Sequence, residues 1–274
     1  MSTTRNGEVE IYYEAFGDPA DPALVLVNGL GSQCINFAVE WCELFAAEGF
    51  RVLRFDNRDT GLSSKLDDVE YAVTDMAADV LAVLDAEGIE RAHVMGLSMG
   101  GMIVQRLAID HPGCLLTMTS VMSRTGEDGY GASSPEAYAQ LTGSPATDRA
   151  DAIERAIAGL RIWGSPAFAD EERWAADAGR AFDRCFDPAG VGRQFFAVGA
   201  SGSRADGLRQ LATPTLVMHG DKDTLIDQSG GRRTAELIPG ARFELIEGMG
   251  HDYPPQLWPR WVELITTHIS AHAR

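Results

Sequence analysis

Hydrophobic positions follow two different rhythms along the chain, and the change between them outlines its architecture. Near the start, "VEIYYEAF" (9–16) alternates well enough for a strand with one exposed face, and "GDPADPA" ends it as a turn. "ALVLVN", from Ala23, is apolar almost without interruption, the pattern of a strand buried on both faces. Residues 36–48 predict a helix closed by Gly49, and "FRVLRF" (50–55) another buried strand. Val73, Met76, Ala77, Val80, Leu81 and Leu84 recur at helical spacing, so 73–88 predicts an amphipathic helix with its cap near Thr74 and its end at Gly88. "AHVMG" (92–96), a helix over 99–110 that stops before Pro112, and "LLTMTSV" (115–121) continue the alternation. Short apolar strands separated by helices predict a mostly parallel sheet covered on both faces.

Between about 122 and 211 the strand rhythm disappears. Ala- and charge-rich helical stretches take its place ("DRADAIERAIAGLRIW", "DEERWAADAGRAFDRCF"), together with Trp163, Phe168, Trp174, Phe182, Phe186, Phe195 and Phe196. The strand–helix alternation resumes at "PTLVMHG" (214–220) and "RFELIEG" (242–248), with a last helix from about 256. The expected division is an α/β core of 1–121 and 212–274 carrying a helical insertion, 122–211.

Composition narrows the classes of function. A chain of 274 residues suffices for one large α/β domain with an insertion. Its 40 acidic against 23 basic residues, net −17, repel phosphate backbones and anionic lipid, so neither nucleic acid nor a membrane surface is an expected partner. The start lacks a basic segment followed by an apolar one, and no apolar run approaches the ~20 residues that span a bilayer, so a cytoplasmic location is expected. Cys34, Cys42, Cys114 and Cys185 are scattered and are expected to be buried, reduced thiols, with a disulfide between two of them as the alternative. No histidine stands at metal-ligand spacing from them, and no metal or organic cofactor is expected.

Candidate chemistry begins with "HVMGLSMGGM" (93–102), where Ser98 has a glycine two places before it and another two places after. The motif falls where a buried strand becomes a helix. A serine on such a sharp turn sits in a strained conformation, and glycines at 96 and 100 remove the side chains that would collide there. The alternative is a serine that merely caps the helix. A serine hydroxyl is a poor nucleophile near neutral pH, and needs a base that is itself oriented by a carboxylate. Of the six histidines, His251 in the glycine-rich loop "EGMGHDYPP" follows a strand and the late acidic residues, whereas His268 and His272 lie in the charged last helix. The loop "HGDKDTLID" offers Asp221, Asp223 and Asp227; Asp223 is placed to point toward His251, while Asp221 is expected to shape the turn. Two backbone N–H groups aimed at a developing oxyanion complete such a site. Met99 supplies one, and Leu30 in "NGLG" (28–31) the other, with an ordinary glycine turn as the alternative for that loop.

With these residues in view, the chain resembles the α/β-hydrolase superfamily over nearly its full length. "VNGLGS" is similar to its HG-x-x-G oxyanion loop, with Asn28 in place of histidine. "RFDNRDTGLS" (54–63) is similar to its D-x-R-G-x-G-x-S stretch, with Asp59 in place of a glycine. "VMHGDKDTLID" resembles the acid loop, with Asp227 at the common proline position, and "GMGH" the histidine loop. "GDPADPALVLV", "RDTG" and "RAHVMGLSMG" look closer still to the methylesterases of anthracycline tailoring. The resemblance implies an α/β-hydrolase fold whose insertion is a cap over the site. It implies a carboxylic-ester hydrolase acting through an acyl-enzyme on Ser98, Asp223 and His251, with Leu30 and Met99 as the oxyanion hole. The aromatics of the insertion suggest a small-molecule ester substrate with an apolar or aromatic portion, with a core of the insertion itself as the alternative for any one of them. Carbon–carbon bond hydrolysis, lactone opening, cofactor-free haloperoxidase or perhydrolase activity, and ligand sensing with low turnover all use the same scaffold, so the fold alone does not name the reaction.

Overall fold

In a computed structural model, which describes residues 2–67 and 69–272, the described strands form one eight-stranded sheet. In chain order the elements are β1 (Ser2–Asn6), β2 (Val9–Phe16), β3 (Ala23–Val27), α1 (Val39–Ala47), β4 (Arg51–Phe55), α2 (Val73–Ala86), β5 (Ala92–Leu97), α3 (Met99–Asp110) and β6 (Leu115–Val121). A run of helices follows: α4 (Pro135–Leu141), α5 (Arg149–Trp163), α6 (Glu171–Arg184), α7 (Pro188–Ala200) and α8 (Ala205–Leu208). The chain then returns to the sheet as β7 (Thr215–Gly220), α9 (Ser229–Leu237), β8 (Arg242–Ile246) and α10 (Trp258–Ala271).

The strand order is β1-β2-β4-β3-β5-β6-β7-β8. From β4 to β8 every neighbouring pair is parallel, while β1/β2 and β2/β4 are antiparallel. All of β3, β5 and β7 is buried, as expected of strands covered on both faces. One face packs against α2, α3, α8 and α9, through residues such as Val80, Val83, Ile103, Leu107, Leu208 and Leu237. The other packs against α1 and α10 through Trp41, Phe45, Trp261 and Ile265, with the Trp41 and Trp261 rings 6.3 Å apart.

The structure departs from the sequence reading at several points. β1, "STTRN", carries no apolar rhythm and exists because its backbone pairs with β2 at the sheet edge. The helix expected over 36–48 begins as a short 3-10 turn at Cys34–Asn36, and α1 starts only at Val39, because Ala38 is extended at ψ 149°. α2 is not capped at Thr74. The Asp75 carboxylate instead accepts the Ala72 N–H at 2.8 Å. α9, "SGGRRTAEL", opens with two glycines and was not expected as a helix. Cys34 and Cys42 are buried thiols, but Cys114 and Cys185 are partly exposed, and none of the four is in a disulfide. Among the described residues no helix is long and apolar enough to cross a membrane.

Candidate active site

All the candidate residues emerge at the carboxyl ends of strands. Ser98 joins β5 to α3 with φ +55° and ψ −116°; a positive φ is found at only two other described non-glycine residues, Asp59 and Met122. Packing forces this conformation. A Cβ at position 96 would lie 2.1 Å from the Gly100 carbonyl oxygen, and one at position 100 would lie 2.1 Å from the Val27 carbonyl oxygen. Hydrogen bonds hold the turn from both sides: the Ser98 N–H donates to Val121 O at 2.9 Å, and the Ser123 hydroxyl donates to Ser98 O at 2.8 Å. Such strain persists only where the surroundings over-determine it.

The candidate acid follows β7. Asp223 is 6% exposed. Its Oδ1 accepts the Leu225 and Ile226 N–H groups at 2.9 and 2.8 Å, while Oδ2 lies 2.7 Å from His251 Nδ1. Burial by itself would raise this carboxyl's pKa. The charge on His251 and hydrogen bonds from His219 and His251 outweigh it, holding the pKa at about 2. Asp221 does something else: its Oδ1 accepts the Gly248 N–H at 2.6 Å and ties the β7 turn to the β8 turn.

The histidine loop after β8 is fastened to the end of α5. His251 N–H donates to Trp163 O, Gly250 N–H donates to the Ser165 hydroxyl at 2.9 Å, and Asp252 Oδ1 accepts the Ser165 N–H at 3.0 Å. Thr224, beside Asp223, donates to Ile162 O at 2.8 Å. The imidazole is therefore positioned partly by the helical segment between β6 and β7.

Ser98 and His251 line one cavity of about 360 Å³, with Leu30, Met99, Met102, Leu160, Trp163, Phe195 and Ile226 among its walls. No hydrogen bond joins the Ser98 hydroxyl to the imidazole; the two groups share the cavity without touching through a proton. The N–H groups of Leu30 and Met99 have no loop or side-chain acceptor among the described residues. An unsatisfied N–H at a cavity wall is available to a ligand oxygen. Gly29 brings its loop against the serine, since a Cβ there would lie 3.3 Å from Ser98 Cβ. A second, larger cavity of about 770 Å³ shares Leu30, Leu141, Trp163 and Phe195 with the first and adds Phe182, Phe186 and Phe196. Among the described residues no group of three or more His, Cys, Asp or Glu is placed to hold a metal ion.

The three departures from the family motif each have a local partner. Asn28, which replaces histidine, donates to Gln33 O at 2.9 Å and accepts at its own backbone carbonyl from Asn57, bracing the loop that carries Leu30. Asp59 takes a φ of +66° where glycine is usual, and its carboxylate is engaged by Leu66 N–H and Arg193. Asp227, at the proline position, accepts the Ser229 N–H at the start of α9. Sequence reasoning set His219 aside because it precedes the acid in chain order. In the structure it is fully buried, with Nε2 2.8 Å from Ile226 O and 3.3 Å from Asp223 Oδ2. Its spacing of four from Asp223 across the β7 turn was the available signal.

Comparison with known proteins agrees with this fold. The family model described as alpha/beta hydrolase fold matches residues 22–253. The chain belongs to the α/β-hydrolase family and is a hydrolase. Within that family it is 32% identical to rhodomycin D methylesterase DauP of Streptomyces sp. (strain C5), over 97% of this chain and 96% of the relative. It is likewise 32% identical to rhodomycin D methylesterase DnrP of Streptomyces peucetius, over 98% and 96%. Among solved structures, the esterase RhEst1 from Rhodococcus sp. ECU1013 superposes with a TM-score of 0.83 at 25% identity, covering 99% of both chains.

Proposed function

We propose that the chain hydrolyses carboxylic esters through an acyl-enzyme on Ser98. One observation carries the reading: a serine on a left-handed elbow shares a cavity with an imidazole whose Nδ1 is 2.7 Å from a buried, ionised carboxylate. Ser98 Oγ attacks the ester carbonyl and its proton passes to His251 Nε2. Asp223 fixes the ring with Nδ1–H toward itself and stabilises the imidazolium. The Leu30 and Met99 N–H groups receive the oxyanion, each such donor being worth roughly 3–4 kcal/mol in the transition state. The intermediate collapses, and the alcohol leaves with the proton from His251. Water then gives a proton to His251 and attacks the acyl carbon, releasing the acid and restoring the serine. The open Ser98–His251 geometry closes when substrate enters, as apo sites commonly require.

The methylesterase relatives favour a methyl ester as the reacting group. The second cavity, with Phe182, Phe186 and Phe196 on its walls, favours an apolar or aromatic body on the acid side. The segment 122–211 serves as the cap over both cavities.

Hydrolysis of para-nitrophenyl butyrate tests the assignment. Ser98→Ala is expected to lower kcat by roughly 10⁴-fold or more, and Asp223→Asn by roughly 10³–10⁴-fold through loss of the correct tautomer. Asp221→Asn is expected to cost less than about tenfold, the effect of a loosened turn and not of a lost orienter. Equal turnover by wild type and Ser98→Ala would end the proposal.

A further inference from the structure

Arg124 lies on the wall of the Ser98 cavity, two residues past the left-handed Met122 and directly after the Ser123 that holds the Ser98 carbonyl. Among the described residues its guanidinium makes no hydrogen bond and no ion pair, whereas every other described arginine and lysine has at least one such partner. This occurs in a chain with 40 acidic residues for 23 basic ones, where a partner for a cation is easy to find. The neighbouring backbone is shaped around the arginine's stem: a Cβ on Gly131 would lie 2.9 Å from Arg124 Cβ, and one on Gly230 of α9 would lie 2.9 Å from the same atom. Nearby, Met122, Leu225 and Ile226 give the wall an apolar character, and the Ser133 hydroxyl on it already donates to Leu225 O at 2.6 Å.

An arginine on the wall of a largely apolar cavity carries an always-charged guanidinium with five donors, which matches a planar anionic oxygen pair. We propose that Arg124 is a specificity-determining residue that binds a carboxylate on the substrate, separate from the ester that Ser98 attacks. The substrate class is then an ester bearing a free acid. This rests on the reading that the Ser98 cavity is where substrate binds. The net charge of −17 opposes approach of any anion at long range, so recognition is short-range and depends on the fork of hydrogen bonds that Arg124 supplies.

The test uses matched esters: the mono-para-nitrophenyl esters of adipic and suberic acid against para-nitrophenyl hexanoate and octanoate, and para-carboxyphenyl butyrate against phenyl butyrate. For at least one pair, Arg124→Met is expected to lower the acidic-over-neutral ratio of kcat/KM roughly ten- to hundredfold, the loss typical of a hydrogen bond to a charged partner. The change falls on KM and not on kcat. Arg124→Lys keeps the charge but not the fork, and gives an intermediate ratio; it carries the same decision should the methionine variant not fold. A ratio within twofold of wild type for every pair in these variants overturns the inference while leaving the Ser98 mechanism in place. If wild type cleaves none of the esters, calorimetric binding of the acidic esters to Ser98→Ala and to Ser98→Ala/Arg124→Met decides separately. Weaker binding only in the double variant upholds the carboxylate site and removes the esterase reading, and equal binding removes the carboxylate site.

Discussion

Strand β3 buries all five of its residues, whereas α6 buries one of its fourteen, Gly179, and α5 one of its fifteen, Gly159. The sheet and its flanking helices are joined by two apolar layers, one on each face. The helical segment over the carboxyl edge is joined to the sheet largely by a polar seam. Asp56, at the end of β4, accepts Cys34 and Leu62 N–H groups and pairs with Arg184 of α6 at 2.7 Å. Asp59 pairs with Arg193 of α7, and Gln33 donates to Ala181 O and Cys185 O. Buried Gln194 of α7 accepts the Gly31 N–H at 2.8 Å and donates to Arg58 O and Thr60. Apolar packing is non-directional and tolerates exchange of like for like. A seam of directed bonds sets one orientation, and here it ends on the Leu30 and His251 loops that border the cavity. The sheet thus provides stability, and the seam provides register at the site.

That contrast can be broken at its strongest point first. Arg184→Met leaves Asp56 buried and without its cation, and is expected to destabilise the protein by about 3–5 kcal/mol in urea unfolding, the usual cost of breaking a buried pair from one side. A loss below about 1 kcal/mol would make the seam decorative. Gly96→Ala probes the sheet side, since its new methyl meets backbone 2.1 Å away; overpacking of about 3 kcal/mol is expected, with loss of the Ser98 elbow's activity. An active, equally stable Gly96→Ala enzyme would contradict the packing account of the strained serine.

Acid sensitivity sharpens the comparison more gently. Asp223 ionises at about 2 in the folded protein against its ordinary 3.8, so the unfolded chain binds the proton more readily. Its contribution to stability is complete above about pH 4 and is lost as pH falls toward 2. Unfolding free energies of wild type and Asp223→Asn should therefore converge as pH is lowered from about 4 toward 2, the window those two values bracket. The smallest effect has the opposite sign. Gly199 of α7 is exposed, and a Cβ there meets nothing within 4 Å, so Gly199→Ala is expected to stabilise by about 0.5–1 kcal/mol on the thermal or urea scale.

The same division explains what could be read in advance. β3, β5 and β7 are buried on both faces and announced themselves as short apolar runs, and the strained turn at Ser98 followed from two glycines at a strand–helix junction. The pairing of His251 with Asp223, and the turn-shaping part of Asp221, followed from position after late strands. β1 escaped because an edge strand needs only backbone, and α9 because its glycines and arginines carry little helical signal. The seam was illegible for a different reason. Asp56 and Arg184 are 128 positions apart, Asp59 and Arg193 134, and no local pattern links them. Arg124 was equally silent, since what distinguishes it is the lack of a partner among the described residues, which only a folded chain reveals.

The central claim, that the Ser98 hydroxyl is made nucleophilic by residues brought from distant parts of the chain, has a direct chemical test. A fluorophosphonate probe followed by peptide mass spectrometry is expected to leave a single adduct, on the peptide containing Ser98. Labelling should be lost in Ser98→Ala and strongly slowed in Asp223→Asn. An adduct on another residue, or undiminished labelling of Ser98→Ala, would contradict the account.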